Sequence, residues 1–378
     1  MPVPENCAPF QHATESETSR IDFRRWWVLG IFWICLGSLT AIDSSADRLT
    51  DPSMDRSTMW LSHEKIQGLP MEGSAWEQIK KHAYSEWGEP DLSNQHHPNN
   101  TLVLAGALVA LRSGDDELKE KVRQHILAIP ETENGGRTLA LGRNLCAYVI
   151  AAGLIGLDDP EFDAWLWDVR YEDLSGKTLI STHDDRPNNW GTHAGASRIA
   201  AAIFLEDIDD LRKSADVFAG WLGDRSRYAQ FTYGDLSWQS DPEKPVGINP
   251  VDATKEGHDI DGVIPDDQRR GGSFAWPPPE TGYPWEALDG VVVQAELLHR
   301  QGHDAWNWSD RAVYRSVAFL YRIGWGVAGE DEEWLVHLVN TRYGSTFQVP
   351  MPARPGKSFG YTDWTHGVTS PGAGQAEK

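Results

Sequence analysis

Apolar residues recur along most of this chain at the three-to-four-residue spacing of a helix buried along one side, in runs separated by Gly, Pro and Asp. The spacing predicts helices over 76–87, 102–112, 117–129, 138–157, 161–169, 194–205, 208–222, 285–300, 310–325 and 332–339. Strand patterns are few and short. The polar link Gly114-Asp115-Asp116 predicts a tight helical hairpin, and similar short links recur, so neighbouring helices are expected to run antiparallel. Hairpin after hairpin predicts an all-α fold, an α/α toroid built as an incomplete barrel of helical hairpins with long functional loops. No repeat of fixed period accompanies it.

Two stretches break this rhythm. Residues 26–42 form an uncharged, mostly apolar run preceded by Arg20, Arg24 and Arg25 and followed by small residues at Ala41 and Ala46. That pattern predicts an export signal: a cleaved signal peptide, or a membrane anchor if it is retained. The chain is therefore expected to divide into a polar leader with its signal or anchor over 1–46 and a toroid domain over 47–378. The domain is expected outside the cytoplasm, periplasmic or secreted, with membrane attachment only through 26–42. The second stretch, 228–283, holds seven Pro, many Gly and Asp, and no sustained period. Structured loops of that length tend to carry function.

Composition narrows the function classes. A formal charge of −22 argues against a nucleic-acid or anionic-membrane surface, because such surfaces need net basic patches. Beyond the apolar run only Cys146 remains, in the apolar segment Leu145-Cys146-Ala147-Tyr148, which predicts a buried thiol and leaves no internal disulfide to form. Eighteen Trp suit either sugar stacking or large helical cores.

Candidate chemistry concentrates in Arg186-Pro187-Asn188-Asn189-Trp190-Gly191-Thr192-His193 and in the 228–283 stretch. Adjacent Asn residues are poor helix formers and costly to bury unpaired, so they mark a turn, a cap or a ligand-binding pair. If a helix begins near Asn189, His193 lies one turn on and shares its face; a plain capping role for Asn189 or Thr192 is the alternative. The later stretch contributes Lys255, His258, Arg269, Arg270, Trp276 and Tyr283, followed by Trp285. Amides, cations, an imidazole and a phenol are the groups needed to eliminate across a uronic acid unit. The C5 proton of such a sugar is weakly acidic while its carboxylate is charged, so amide and guanidinium donors that neutralise the carboxylate lower the barrier. A base then takes the proton: a Tyr, ordinarily near pKa ~10, with a cation such as Arg269 or Arg270 beside it, or a His near ~6.5. The same or a second group then protonates the leaving O4.

These residues resemble the alginate-lyase superfamily of polysaccharide lyases. The likeness lies in the Arg186-to-His193 run, the Arg270-Gly271 pair and the helix start at Tyr283, with weaker support from Gly360-Tyr361-Thr362-Asp363-Trp364-Thr365-His366. It implies an α/α toroid acting on an acidic polysaccharide without a cofactor. It also implies roles: Asn188 or Asn189 binds the carboxylate, Arg270 is the cleft arginine, and Tyr283 is the catalytic tyrosine. Two departures stand out, because Trp190 rather than a His follows the Asn pair, and the Arg270-to-Tyr283 interval is lengthened by Trp276-Pro277-Pro278-Pro279. His193 or His258 would then assist, with Arg269 and Lys255 as further substrate contacts. Trp190, Trp276 and Trp285 are expected to stack on sugar rings or to wall the core.

No metal site is expected, His183-Asp184-Asp185 being an acidic turn with isolated spacing. Two other classes remain open. One is a glycoside hydrolase on a similar toroid, using two carboxylates from Asp184, Asp185, Asp266, Asp267 and Glu286. The other is a non-catalytic glycan-binding envelope protein.

Overall fold

The computed structural model describes residues 54–327 and 330–367, and the proposed leader, signal and anchor over 1–46 lie outside them. Fourteen α-helices follow in order: α1 (His63–Gln67), α2 (Ser74–Ala83), α3 (Asn99–Ser113), α4 (Asp116–Leu127), α5 (Thr138–Ile155), α6 (Pro160–Val169), α7 (Leu179–Asp185), α8 (Asn189–Phe204), α9 (Ile208–Leu222), α10 (Pro265–Gln268), α11 (Tyr283–Arg300), α12 (Trp308–Arg322), α13 (Glu333–Tyr343) and α14 (Thr362–Thr365). The only strands among the described residues are β1 (Thr254–Lys255) and β2 (His258–Asp259), a two-residue antiparallel pair. Glu256 (φ 51°) and Gly257 (φ 81°) turn that pair, the left-handed combination a tight hairpin requires.

Burial separates an inner from an outer layer. All eighteen residues of α5 are buried, as is every residue of α8 but Trp190. The outer α4, by contrast, buries only Leu118, Val122 and Ile126, one stripe four residues apart. By length and composition α5 could cross a membrane, but it is wholly enclosed and is a core helix. Helices α3, α5, α8, α11 and α13 pack in succession, and one-turn α14 links α13 to α2, which returns to α3 and completes the circuit. Helix α4 packs on α3 and α5, α9 on α8, and α12 on α9 and α11. This is the expected toroid.

Small residues let the inner helices approach. A Cβ on Gly142 of α5 would sit 2.9 Å from the Ala194 backbone nitrogen of α8, and one on Gly290 of α11 only 2.3 Å from the Thr192 carbonyl carbon. The α3–α4 hairpin forms as its sequence predicts, with Gly114 left-handed (φ 70°) closing α3 and the Asp115 side chain accepting from the Leu118 N–H to cap α4. Residues 360–366 are structural: Trp364 packs on Trp76 and donates to the Pro70 carbonyl (2.9 Å), fastening the end of the circuit to its beginning.

Candidate active site

Helices α3, α5, α8, α11 and α13 bring their N-terminal ends to one cleft of about 700 Å³. Gln95 and His96 precede α3, and Arg137, Leu139 and Arg143 open α5. Asn189 and Trp190 begin α8; Gly282, Tyr283, Trp285 and Glu286 begin α11; Glu330, Asp331 and Glu332 lead into α13. Arg270, Glu280, Trp325 and Lys357 complete the lining with their neighbours. Converging helix N-termini aim unpaired N–H groups and positive dipole ends at one space, which favours an anionic group there.

One contact brings two distant parts of the sequence together. The Asn189 N–H donates to Asp267 Oδ1 (3.1 Å), pinning α10 to the start of α8 and setting Arg270 beside Asn189 in the lining. Asp267 is fully enclosed, and burial, against that donated hydrogen bond, pushes its carboxyl well above the usual range. The Asn189 side chain is buried with its amide oxygen lacking a partner, an unusual state for a polar group of this kind. The Arg270 guanidinium lies 4.0 Å from the centre of the Tyr283 ring.

Of the residues named from sequence, Asn189, Trp190, Arg270, Tyr283, Trp285 and Glu286 line the cleft. Trp285 is 5% exposed and donates to the Trp325 carbonyl (3.0 Å), so it is chiefly wall; Trp190 is the more open ring. The others are placed elsewhere. Asn188 is the α8 N-cap, accepting from the Trp190 N–H (3.2 Å), because the first turn of that helix needs an acceptor there. His193 does share a helix face with Asn189, but it is 1% exposed and does not line the cleft. Burial, and then the Arg143 and Lys357 charges, hold its imidazole well below the usual range, so it is neutral and supplies no charge-assisted donor.

Arg269 is spent on Asp266, with Nε to Oδ1 at 2.7 Å and Nη2 to Oδ2 at 3.0 Å. Lys255 and His258 face each other across the β1–β2 pair. There Lys255 donates to the Gln239 carbonyl (3.1 Å) and His258 stacks on Trp276 with ring centres 4.6 Å apart. None of these three lines the cleft, and neither does Trp276. Asp184 pairs with Arg198 and Asp185 with Lys177, both at 2.6 Å.

Around Glu286, named from sequence only as a hydrolase carboxylate, lies a second set of groups that sequence reasoning missed. Arg143 pairs with Glu286, whose other oxygen accepts from Lys357 (3.0 Å), and Lys357 also reaches Asp331 (3.3 Å). Asp289 lies enclosed behind them with Oδ1 unpartnered. Its burial, with the charges on Glu332 and Glu286, pushes its carboxyl well above the usual range. Burial and then the Glu286 charge push Glu332, in the lining itself, up to about 7. One signal for Arg143 was in the sequence: it is the single charged residue inside the apolar α5.

No protein-family model and no curated protein matches the chain. Among solved structures, a histidine-to-alanine variant of alginate lyase A1-III complexed with a tetrasaccharide superposes with a TM-score of 0.50 at 11% identity, covering 86% of this chain and 97% of that one. A tyrosine-to-phenylalanine variant, also complexed with a tetrasaccharide, gives 0.47 at 11% identity over 86% and 98%. Alginate lyase A1-III from Sphingomonas species A1 gives 0.46 at 11% identity over 85% and 97%. The fold of this chain is thus a helical toroid like that of alginate lyase A1-III.

Proposed function

We propose that this chain is a polysaccharide lyase that cleaves a uronate-containing, alginate-like polymer by β-elimination. The observation that carries the reading is the meeting of Asn189, Arg270 and Tyr283 in one cleft at the N-termini of the inner helices. Asn189 and Arg270 would hold the sugar carboxylate, and the helix ends would add to the positive potential around it. Tyr283 would take the C5 proton. Trp190 would offer a face for the ring, and a tetrasaccharide named with structures of the same fold agrees with an extended sugar ligand. The leader over 1–46 would export the enzyme to where such polymers lie.

The cleft is not uniformly basic. Arg137, Arg143, Arg270 and Lys357 share it with Glu280, Glu286, Glu330, Asp331 and Glu332. Recognition of the carboxylate would therefore be local, at contact range of Arg270 and Asn189, with the protein's overall charge screened beyond a Debye length of about 8 Å at physiological salt. The pairing of Glu286 with Glu332 in the lining is the one observation that favours the alternative, hydrolysis by two carboxyl groups. Product chemistry decides between them. Incubation with alginate, glucuronan, hyaluronan and pectate should release unsaturated sugars absorbing in the ultraviolet from at least one polymer; new reducing ends without that absorbance would replace elimination with hydrolysis.

A further inference from the structure

Elimination leaves a proton to be supplied. As the C5–H bond breaks, its proton goes to the Tyr283 oxygen and its electron pair is shared with the sugar carboxylate; that pair forms the C4–C5 double bond as the C4–O4 bond breaks, and O4 takes the C–O pair and needs a proton to depart as a hydroxyl. Resting on the lyase reading, we infer that Glu332 is the acid that protonates the leaving O4, separate from the base Tyr283. Glu332 ends as a carboxylate and Tyr283 as a phenol, and exchange with water resets both.

The other carboxyl groups of the cleft are unsuited to that role. Glu286 is occupied by cations on both oxygens, Arg143 and Lys357. Asp331 is likewise occupied by Lys357. Glu280 and Glu330 are exposed, in contact with water rather than walled against it. Asp289 is enclosed but does not line the cleft. Glu332 alone among these lines the cleft, is only 7% exposed, and has no ion pair among the described residues.

Its surroundings favour the protonated form. Glu286 and Asp289 face it from α11, Asp331 adjoins it, and Lys357 opposes them only in part, while Arg143 is engaged by Glu286. Burial and this acidic company raise the carboxyl to about 7, where it carries a proton to give near neutral pH.

The test compares two substrates: the polymer that yields unsaturated product, and a synthetic uronate bearing 2,4-dinitrophenoxide at C4, whose departure needs no proton. The variant is Glu332→Gln. On the polymer it should lose at least about 100-fold in kcat, the scale of general acid catalysis, while staying within about threefold of the parent on the activated substrate. In deuterated water it should still exchange hydrogen at C5 of the polymer. The parent enzyme gives an arm that does not depend on the variant folding: kcat on the polymer should fall as pH rises through about 7, and that limb should vanish with dinitrophenoxide. Equal losses on both substrates, no loss on the polymer, or the same alkaline limb on both would overturn the inference. Absence of unsaturated product from the parent itself would instead overturn the lyase reading beneath it.

Discussion

Arg270 stacks its guanidinium on the ring of Tyr283 at 4.0 Å, joining the second residue after α10 to the first residue of α11 at the edge of the cleft. On the proposed lyase reading, a cation on the phenol's face would also meet the negative charge that develops on a substrate carboxylate during proton removal. Tyr283→Phe keeps the stacking and removes only the hydroxyl. It should lower kcat by about 10³-fold or more with KM little changed, measured as the rate of unsaturated-product formation. Unchanged turnover would end the assignment of Tyr283 as the base.

Asn189 is the second test of the site. Replacing it with Ala leaves its main-chain N–H free to keep the bond to Asp267. The melting temperature should therefore change little while kcat/KM falls by about 100-fold, the usual scale for losing one transition-state donor. A large loss of stability with catalysis intact would make Asn189 a structural amide.

Close helix contact gives a prediction independent of function. Gly290→Ala places a methyl 2.3 Å from the Thr192 carbonyl carbon, and backbone on both sides leaves nothing flexible to yield. Overpacking of this kind costs about 1–3 kcal/mol, and forcing α8 from α11 should also lower activity, because each carries one half of the site. Denaturant unfolding that matches the parent would contradict this packing.

Glu296 anchors the far half of α11. It accepts from Arg300 (2.8 Å), Arg342 (2.7 Å) and Trp306 (3.2 Å), with His366 at 3.7 Å. Burial alone would push this carboxyl up, but His366 and Arg342 outweigh it and hold it far below the usual range. A depressed carboxyl contributes stability that is present above its ordinary range near ~4.3 and is lost as pH falls below it. Glu296→Gln should therefore cost roughly 3 kcal/mol at neutral pH, as for breaking a buried pair, and the gap should narrow on acidification. Equal melting temperatures at pH 7 would refute it.

The helices were legible because outer-layer stripes and inner-layer apolar runs both follow from which sides are covered: 208–222 was read from sequence with the bounds of α9. Helix α8 was harder. Its apolar run suggests a start at Ala194, but the helix begins five residues earlier at Asn189, capped by Asn188, and Asn189 and Trp190 face the cleft. In the 228–283 stretch the residue types pointed to chemistry without saying which way they face. Lys255 and His258 went to a surface hairpin and Arg269 to Asp266, while Arg270, one residue on, reached the cleft. Glu332 and Lys357 gave no local sign, since their importance comes from meeting α11 across the circuit.

That each inner helix lends the cleft little more than its opening turn has an evolutionary consequence. The hydrophobic interior and the cleft lining draw on separate positions of the same helices, so the mouth can be rewritten for a new ligand by exchanging a handful of residues at helix beginnings. A scaffold so divided can keep its architecture while nearly all sequence likeness to its structural counterparts drains away.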